Sequence, residues 1–283
     1  MVEFLTRFTG PRARQSRAPG LGLSLGLTLA WLGLIVLLPV AALVWRGAGL
    51  SWREFTAAAF DARALAAYRL TVLAALTAAC VNALFGFVAA WSLARYRFPA
   101  RRLLDALIDL PFALPTAVSG IALTSIYAST GWLGGALEAA GLKVAYTPLG
   151  VMVALTFIGL PFVVRTLQPA IEDLDPGMEE AARLLGASPA RTFVLVVLPA
   201  LRPALLAGFA MAFARALGEY GSVVFISGNL PGKTEIAPLL IMARLEQFDY
   251  AGATALSIVL MAGSFMMLLA INALDARARR GLQ

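Results

Sequence analysis

Arg215 and Glu219 are opposite charges four residues apart inside an otherwise apolar stretch, 203–227. Charge is costly in a membrane-length segment and faces a bundle interior or a pathway. On a helix this spacing lets the two side chains neutralise each other. The pair therefore reads either as a structural ion pair or, more sharply, with Arg215 as a direct contact for an anion. The acid is set in the segment Gly218-Glu219-Tyr220-Gly221-Ser222. A second such stretch, Asp109 to Gly120, carries Pro111 and Pro115 four apart. Proline lacks a backbone donor and clashes with the carbonyl four residues back, so a helix there is broken or kinked. Such irregular backbone is tolerated at membrane depth only where protein buries it or it lines a wet cavity. A third stretch, Ser227 to Thr234, looks like a phosphate loop. It has three residues between its glycines where four are needed, and Ser227 stands where the first glycine should be, which excludes nucleotide binding by this chain.

These residues must be held by membrane helices. Of 283 residues, 60% are hydrophobic and only 14% are charged, too few charges to clothe a soluble domain. Uncharged runs at 18–45, 70–94, 110–137, 144–164 and 250–274 each reach the roughly 20 residues that a spanning helix needs. The threading places spans near 21–45, 70–94, 105–128, 149–170, 203–227 and 250–274, giving an all-α polytopic protein of six helices with both termini on one side. Residues 1–20 form an arginine-rich tail, 21–275 the membrane domain and 276–283 a second tail. An organelle-targeting role for the first tail stays open. Arginines gather in the first tail, around 95–102, across 165–202 and after 275, so both termini are expected in the cytoplasm. Histidine is absent and the single cysteine is Cys80. Catalytic triads, zinc sites and intramolecular disulfides are thereby excluded, and neither catalytic nor metal-ligating residues are expected. The net charge of +7 belongs to membrane flanks rather than to a nucleic-acid surface.

The longest cytoplasmic loop, 171–202, has helical organisation of its own. Asp175-Pro176 is an N-cap followed by proline at the first helical position, and Gly186 is a helix stop. Between them Met178, Ala181, Ala182 and Leu185 share one face, and Glu179 can pair with Arg183. Ser188-Pro189 starts a second helix, which Leu198-Pro199 is expected to interrupt. The small alanines leave room for close approach of another protein surface, with Glu180 as a charged anchor. A helix lying on the lipid interface is the alternative.

The arrangement Glu180-Ala181-Ala182, then Gly186, then Val196 and Leu198-Pro199 resembles the EAA motif of ABC-importer permeases, with valine in the usual isoleucine position. The resemblance implies a type I importer fold in which Glu180, Ala181, Ala182 and Gly186 dock into a cleft of an ATPase subunit, with Leu198 and Pro199 at the turn into the next helix. The 110–120 run, Pro161 to Thr166, Gly218 to Gly221, Ile226 to Glu235 and Arg244 to Tyr250 resemble more narrowly the T-type membrane subunits of sulfate/thiosulfate importers. Tyr220 stands where phenylalanine is common, and molybdate permeases share part of the pattern. The resemblance implies a second permease subunit of the W type, two ATPase subunits that carry ATP-Mg, an extracytoplasmic sulfate-binding protein, and a place in the bacterial inner membrane. This chain itself is expected to hold no cofactor and to be no enzyme. For a divalent oxyanion, N–H groups freed at a broken helix and the hydroxyls of Thr116 and Ser119 could provide weak solvation. Pro115, Thr116, Ser119 and Arg215, with Gly218, Glu219, Tyr220, Gly221 and Ser222, are thus candidate gate and path residues. Against this, Thr116 and Ser119 could merely bond their own helix backbone. Lys233, Glu235, Glu246 and Asp249 are candidate contacts for a binding protein. Of the other classes, a membrane enzyme lacks catalytic groups, and a proton-coupled transporter acting through Glu219 leaves the EAA-like loop unexplained.

Overall fold

The computed structural model describes residues 21–280, and the regular elements among them are all helical. The arginine-rich tail therefore lies outside the described residues. Two compact units are present, the first ending at Gly49. It holds α1 (Gly22–Ala48), which has a π-turn at Gly33–Leu37. The second unit begins with α2 (Trp52–Ala59) and α3 (Ala62–Arg95). Then come α4 (Arg101–Ala113), α5 (Thr116–Tyr127), α6 (Trp132–Ala139) and α7 (Pro148–Glu172). After a short α8 (Pro176–Leu184), the chain forms α9 (Pro189–Leu217), α10 (Gly221–Ser227), α11 (Ala237–Glu246) and α12 (Tyr250–Arg280).

Five of these, α1, α3, α7, α9 and α12, are long and apolar enough to cross a bilayer. Between α4 and α5 the helix bends by 116°. The cause is the predicted one: Leu114, which precedes a proline, is extended at ψ 135°, and Pro115 follows at ψ 136°. Whether this pair crosses or re-enters follows from its neighbours. The C-terminal halves of α3 and α7 share a cluster containing Ala90, Leu93, Leu167 and Ile171, whereas Ala74, Ala75, Val151 and Ala154 share another. Helices α3 and α7 thus run parallel, and the chain between them must return from one end to the other. The pair α4–α5 is one broken span, and α1 with the five crossings of the second unit makes six.

The core of the second unit lies where α3, α7 and α9 pack together. Alanines at 74, 75, 78 and 79 of α3 are buried there, the small-residue contact that lets membrane helices approach closely without a hydrophobic drive. Arg165, grouped by the sequence with the flanking arginines of 165–202, lies within α7 and clamps the broken span. Its guanidinium donates to Asp109 at 2.5 and 2.7 Å and to Asp105 at 2.7 Å. Arg63 and Arg69 likewise belong to α3, which starts at Ala62 because the Asp61 carboxylate accepts the Ala64 N–H at 2.6 Å.

Leu198-Pro199 does not interrupt its helix. Here α9 continues through it by widening into a π-turn at Phe193–Val197, in which the Leu198 N–H donates to the Phe193 carbonyl. Proline would otherwise collide with the carbonyl of Leu195, and the wider turn relieves that collision. The expected fifth span is also corrected: α9 ends at Leu217, and α10 is a separate short helix. At the C-terminus α12 runs on to Arg280, beyond the expected boundary at 275.

Candidate functional site

Helix α8 is built as its sequence requires. The Asp175 carboxylate accepts the Gly177 N–H at 2.9 Å, with Pro176 in the first turn. At the other end the N–H groups of Leu185, Gly186 and Ala187 donate to the carbonyls of Ala181, Arg183 and Ala182 at 3.1, 2.9 and 3.0 Å. This closure needs a left-handed residue, which Gly186 supplies at φ 82°. Glu180, Ala181 and Gly186 are exposed, and Ala182 is half-buried. Leu184 and Leu185 are 89% and 88% exposed. The chain therefore leaves an apolar face beside Glu180 uncovered, a surface that suits a partner. Glu179 faces the other way, donated to by Arg183 at 3.5 Å and by Arg95 at 2.6 Å. Ser188 caps α9 by accepting the Arg191 N–H at 3.4 Å, while Leu198 and Pro199 are half-buried within that helix.

The structure also brings together the residues assigned to a path. Helices α5 and α10 cross in direct contact. A Cβ on Gly120 would stand 2.5 Å from the Ser222 carbonyl oxygen, and one on Gly221 would collide with Thr116 Oγ1. Glu219, 1% exposed, has both oxygens engaged. One accepts the Ser222 N–H and hydroxyl at 2.8 and 2.9 Å, and the other meets Arg215 Nη1 at 2.5 Å. The structural ion pair is therefore present, although the Arg215 side chain keeps 33% of its exposure. Ser119 is buried, its hydroxyl donating to the Pro115 carbonyl at 3.4 Å, as the backbone-bonding alternative foresaw. Pro115, Gly218 and Tyr220 are exposed, and Thr116 and Gly221 half-buried. Of the candidate path residues, Pro115, Thr116, Arg215, Gly218, Tyr220 and Gly221 thus keep some exposed surface. It lies beside the first turn of α5, whose leading N–H groups have no helical acceptor.

The loop that mimics a phosphate cradle turns its amides inward. The N–H groups of Lys233, Thr234 and Glu235 all donate to the Leu230 carbonyl at 3.0–3.2 Å, and Leu230 N–H donates to Thr234 Oγ1 at 3.0 Å. Those four amides are thereby turned away from any anion. Glu235, expected as a surface contact, is buried and held bidentately by Arg63 at 2.6 and 2.7 Å. Asp249 is engaged by Arg244 at 3.1 Å and by the Gly252 N–H at 2.9 Å. Lys233 and Glu246 remain exposed. Among the described residues no group of three or more Cys, Asp or Glu could hold a metal ion.

Three residues escaped the sequence reading. Arg165 could have been found by pairing it with Asp105 and Asp109, themselves four apart. Arg95 carried no local signal, because its partner is 84 residues away. Asn82 is buried at 1%, and neither of its side-chain polar atoms has a partner; nothing but its polarity inside an apolar run marked it.

The sequence matches, over residues 82–280, the family described as binding-protein-dependent transport system inner membrane component. The sulfate transport system permease protein CysT of Salmonella typhimurium is 49% identical over 262 residues, covering 93% of this chain and 95% of that one. The protein of the same name from Synechocystis is 46% identical over 254 residues, 90% of this chain and 89% of that one. In fold, a bacterial ABC transporter that imports the polysaccharide alginate superposes with a TM-score of 0.70 over 92% of this chain and 97% of that one, at 16% identity. An amino acid ABC transporter does so with a TM-score of 0.51 over 76% and 92%, at 19% identity.

Proposed function

The chain belongs to the binding-protein-dependent transport system inner membrane components, and from that premise we propose that it is the T-type permease subunit of an ATP-driven sulfate importer. The observation that carries the coupling role is the uncovered apolar edge of α8, where Leu184 and Leu185 stand out beside Glu180. The anion rests on the sulfate permease relatives. The proposed assembly contains a second permease subunit of the W type, two ATPase subunits and an extracytoplasmic sulfate-binding protein. ATP and magnesium belong to the ATPase subunits. Glu180, Ala181, Ala182 and Gly186 dock on one of them.

Closure of the ATPase pair then displaces α8. The short connection 185–188 joins α8 to α9, which Ser188 caps and which runs on through its π-turn, so the displacement enters a span whose far end carries Arg215 and the α5–α10 crossing. Separation of that crossing opens the path. Because Glu219 already neutralises Arg215, the site offers no bare cation to hold a divalent anion tightly. Solvation comes from the first-turn N–H groups of α5, the Thr116 hydroxyl and the exposed part of Arg215. A weak site of this kind favours release over retention.

The test is uptake of labelled sulfate by proteoliposomes holding the chain with its partner subunits and binding protein, with thiosulfate, molybdate and phosphate as competitors. ATP-dependent sulfate uptake, blocked by excess thiosulfate and not by phosphate, is expected. Uptake of molybdate without sulfate would overturn the substrate and leave the coupling scheme standing; uptake that survives ATP depletion would overturn the scheme.

A further inference from the structure

Helix α8 is joined to the bundle through more than its own chain ends. Arg95, the last residue of α3, donates from Nη2 to Oε1 of Glu179 at 2.6 Å. Its guanidinium also lies over the Trp91 ring, 5.0 Å from the centroid. Trp91 in turn stacks on Phe87 and meets the edge of Phe193, with centroids 6.0 and 5.6 Å away. Phe193 opens the π-turn of α9. One cation therefore touches α8 and, through an aromatic stack, braces α3 against α9. Side-chain exposures of 27% for Arg95 and 16% for Glu179 shield the pair from solvent, and guanidinium–carboxylate hydrogen bonds of this length are among the stronger ones. The Arg95 Nε–H is buried without a hydrogen-bond partner.

Without this link, α8 would be held by two short connections, 173–175 and 185–188, and by its packing on the first turns of α9, with nothing tying it to α3. The second contains Gly186, whose left-handed backbone is a ready pivot. A push on α8 could then be absorbed by rotation about that pivot. We infer that Arg95 is a positioning residue for energy coupling: it fixes α8 to the end of α3, so that displacement of α8 moves the core helix α3 together with α9. The inference rests on the proposed docking of α8 against an ATPase subunit.

The experiment uses the complete transporter in proteoliposomes and reads two quantities, sulfate moved per ATP hydrolysed and co-purification of the ATPase subunits. In Arg95→Gln the ATPase subunits remain bound and sulfate per ATP falls by about fivefold, the scale of a single coupling contact. Glu179→Gln gives a similar loss, and the double variant is no worse than either single one, since all three remove one interaction. An unchanged ratio in Arg95→Gln, or a double variant whose loss is the product of the single losses, would overturn the inference. Should Arg95→Gln fail to assemble, Arg95→Lys carries the test: it keeps the charge but loses the planar fork and much of the stacking. A ratio below wild type is expected there, and a wild-type ratio would overturn the inference. Gly186→Asp separates the two levels of argument. It is expected to lose the ATPase subunits, and if it retains them and transports normally, the docking reading fails whatever Arg95 does.

Discussion

Asn82 sits where α3, α7 and α9 meet, its amide nitrogen 2.5 Å from where a Cβ on Gly159 would stand. Burying an amide without partners costs on the order of 1–3 kcal/mol. Truncation therefore has an unusual expected sign. Asn82→Ala leaves the thermal unfolding midpoint of the detergent-purified subunit unchanged or raises it, by up to about 2 kcal/mol of stability. Leu155→Ala in the same core instead costs roughly 2–5 kcal/mol. A comparable loss in Asn82→Ala would mean that the amide is bonded. The residue scale also shows the limits of reading types and spacings. The spacing of Arg215 and Glu219 sufficed to foresee their pairing, because a helix fixes what lies four residues on. That Ser119 and Ser222 would be buried at a helix crossing while Thr116 stays half open was not legible. That depends on which faces of α5 and α10 meet, and neither helix has enough polar residues to mark a face. Arg165 and Arg95 were read as flanking charge for the same reason: their acids lie on other elements.

At the scale of elements, the breaks were legible where local chemistry decides them. Pro115 ends one helix and starts another, Gly186 closes α8, and Asp175 and Ser188 open helices, all by interactions within about four residues. Pro199 was misread because a proline has two outcomes. It can end a helix, or the helix can widen just before it. The chain takes the second course twice, with π-turns at Gly33–Leu37 before Pro39 and at Phe193–Val197 before Pro199. In membrane surroundings a broken helix would leave carbonyls without water, which favours widening over rupture. The crossing of α5 and α10 makes its own prediction. A methyl at Gly120 meets backbone, 2.5 Å from the Ser222 oxygen and 2.9 Å from its Cα, so the helices must part by a fraction of an ångström at a cost of about 1–3 kcal/mol. Gly120→Ala is expected to lower sulfate uptake at least tenfold while the ATPase subunits still co-purify. Gly263→Ala in α12, where nothing lies within 4 Å of the new methyl, serves as the control and keeps uptake. Equal uptake by the two variants would remove the crossing from the gate.

On the scale of the whole molecule, orientation in the membrane follows from length and charge together. Helix α9 has 29 residues, about 43 Å at 1.5 Å per residue, against a hydrocarbon core of roughly 30 Å. Its two ends therefore lie on opposite sides of the bilayer. The end that carries α8 also carries Arg95, Arg97, Arg101 and Arg102, and a surplus of arginine in short loops is retained in the cytoplasm. The loop at 228–235, beyond the other end, then faces outward with the exposed Lys233, on the side away from cytoplasmic nucleotide. With the single native cysteine removed by Cys80→Ala, Lys233→Cys should react with a membrane-impermeant maleimide applied to intact cells. Ala190→Cys, exposed at the α8 end, should react only after the membrane is opened. The reverse pattern would place α8 outside, out of reach of any cytoplasmic ATPase, and the coupling scheme would fall with the orientation.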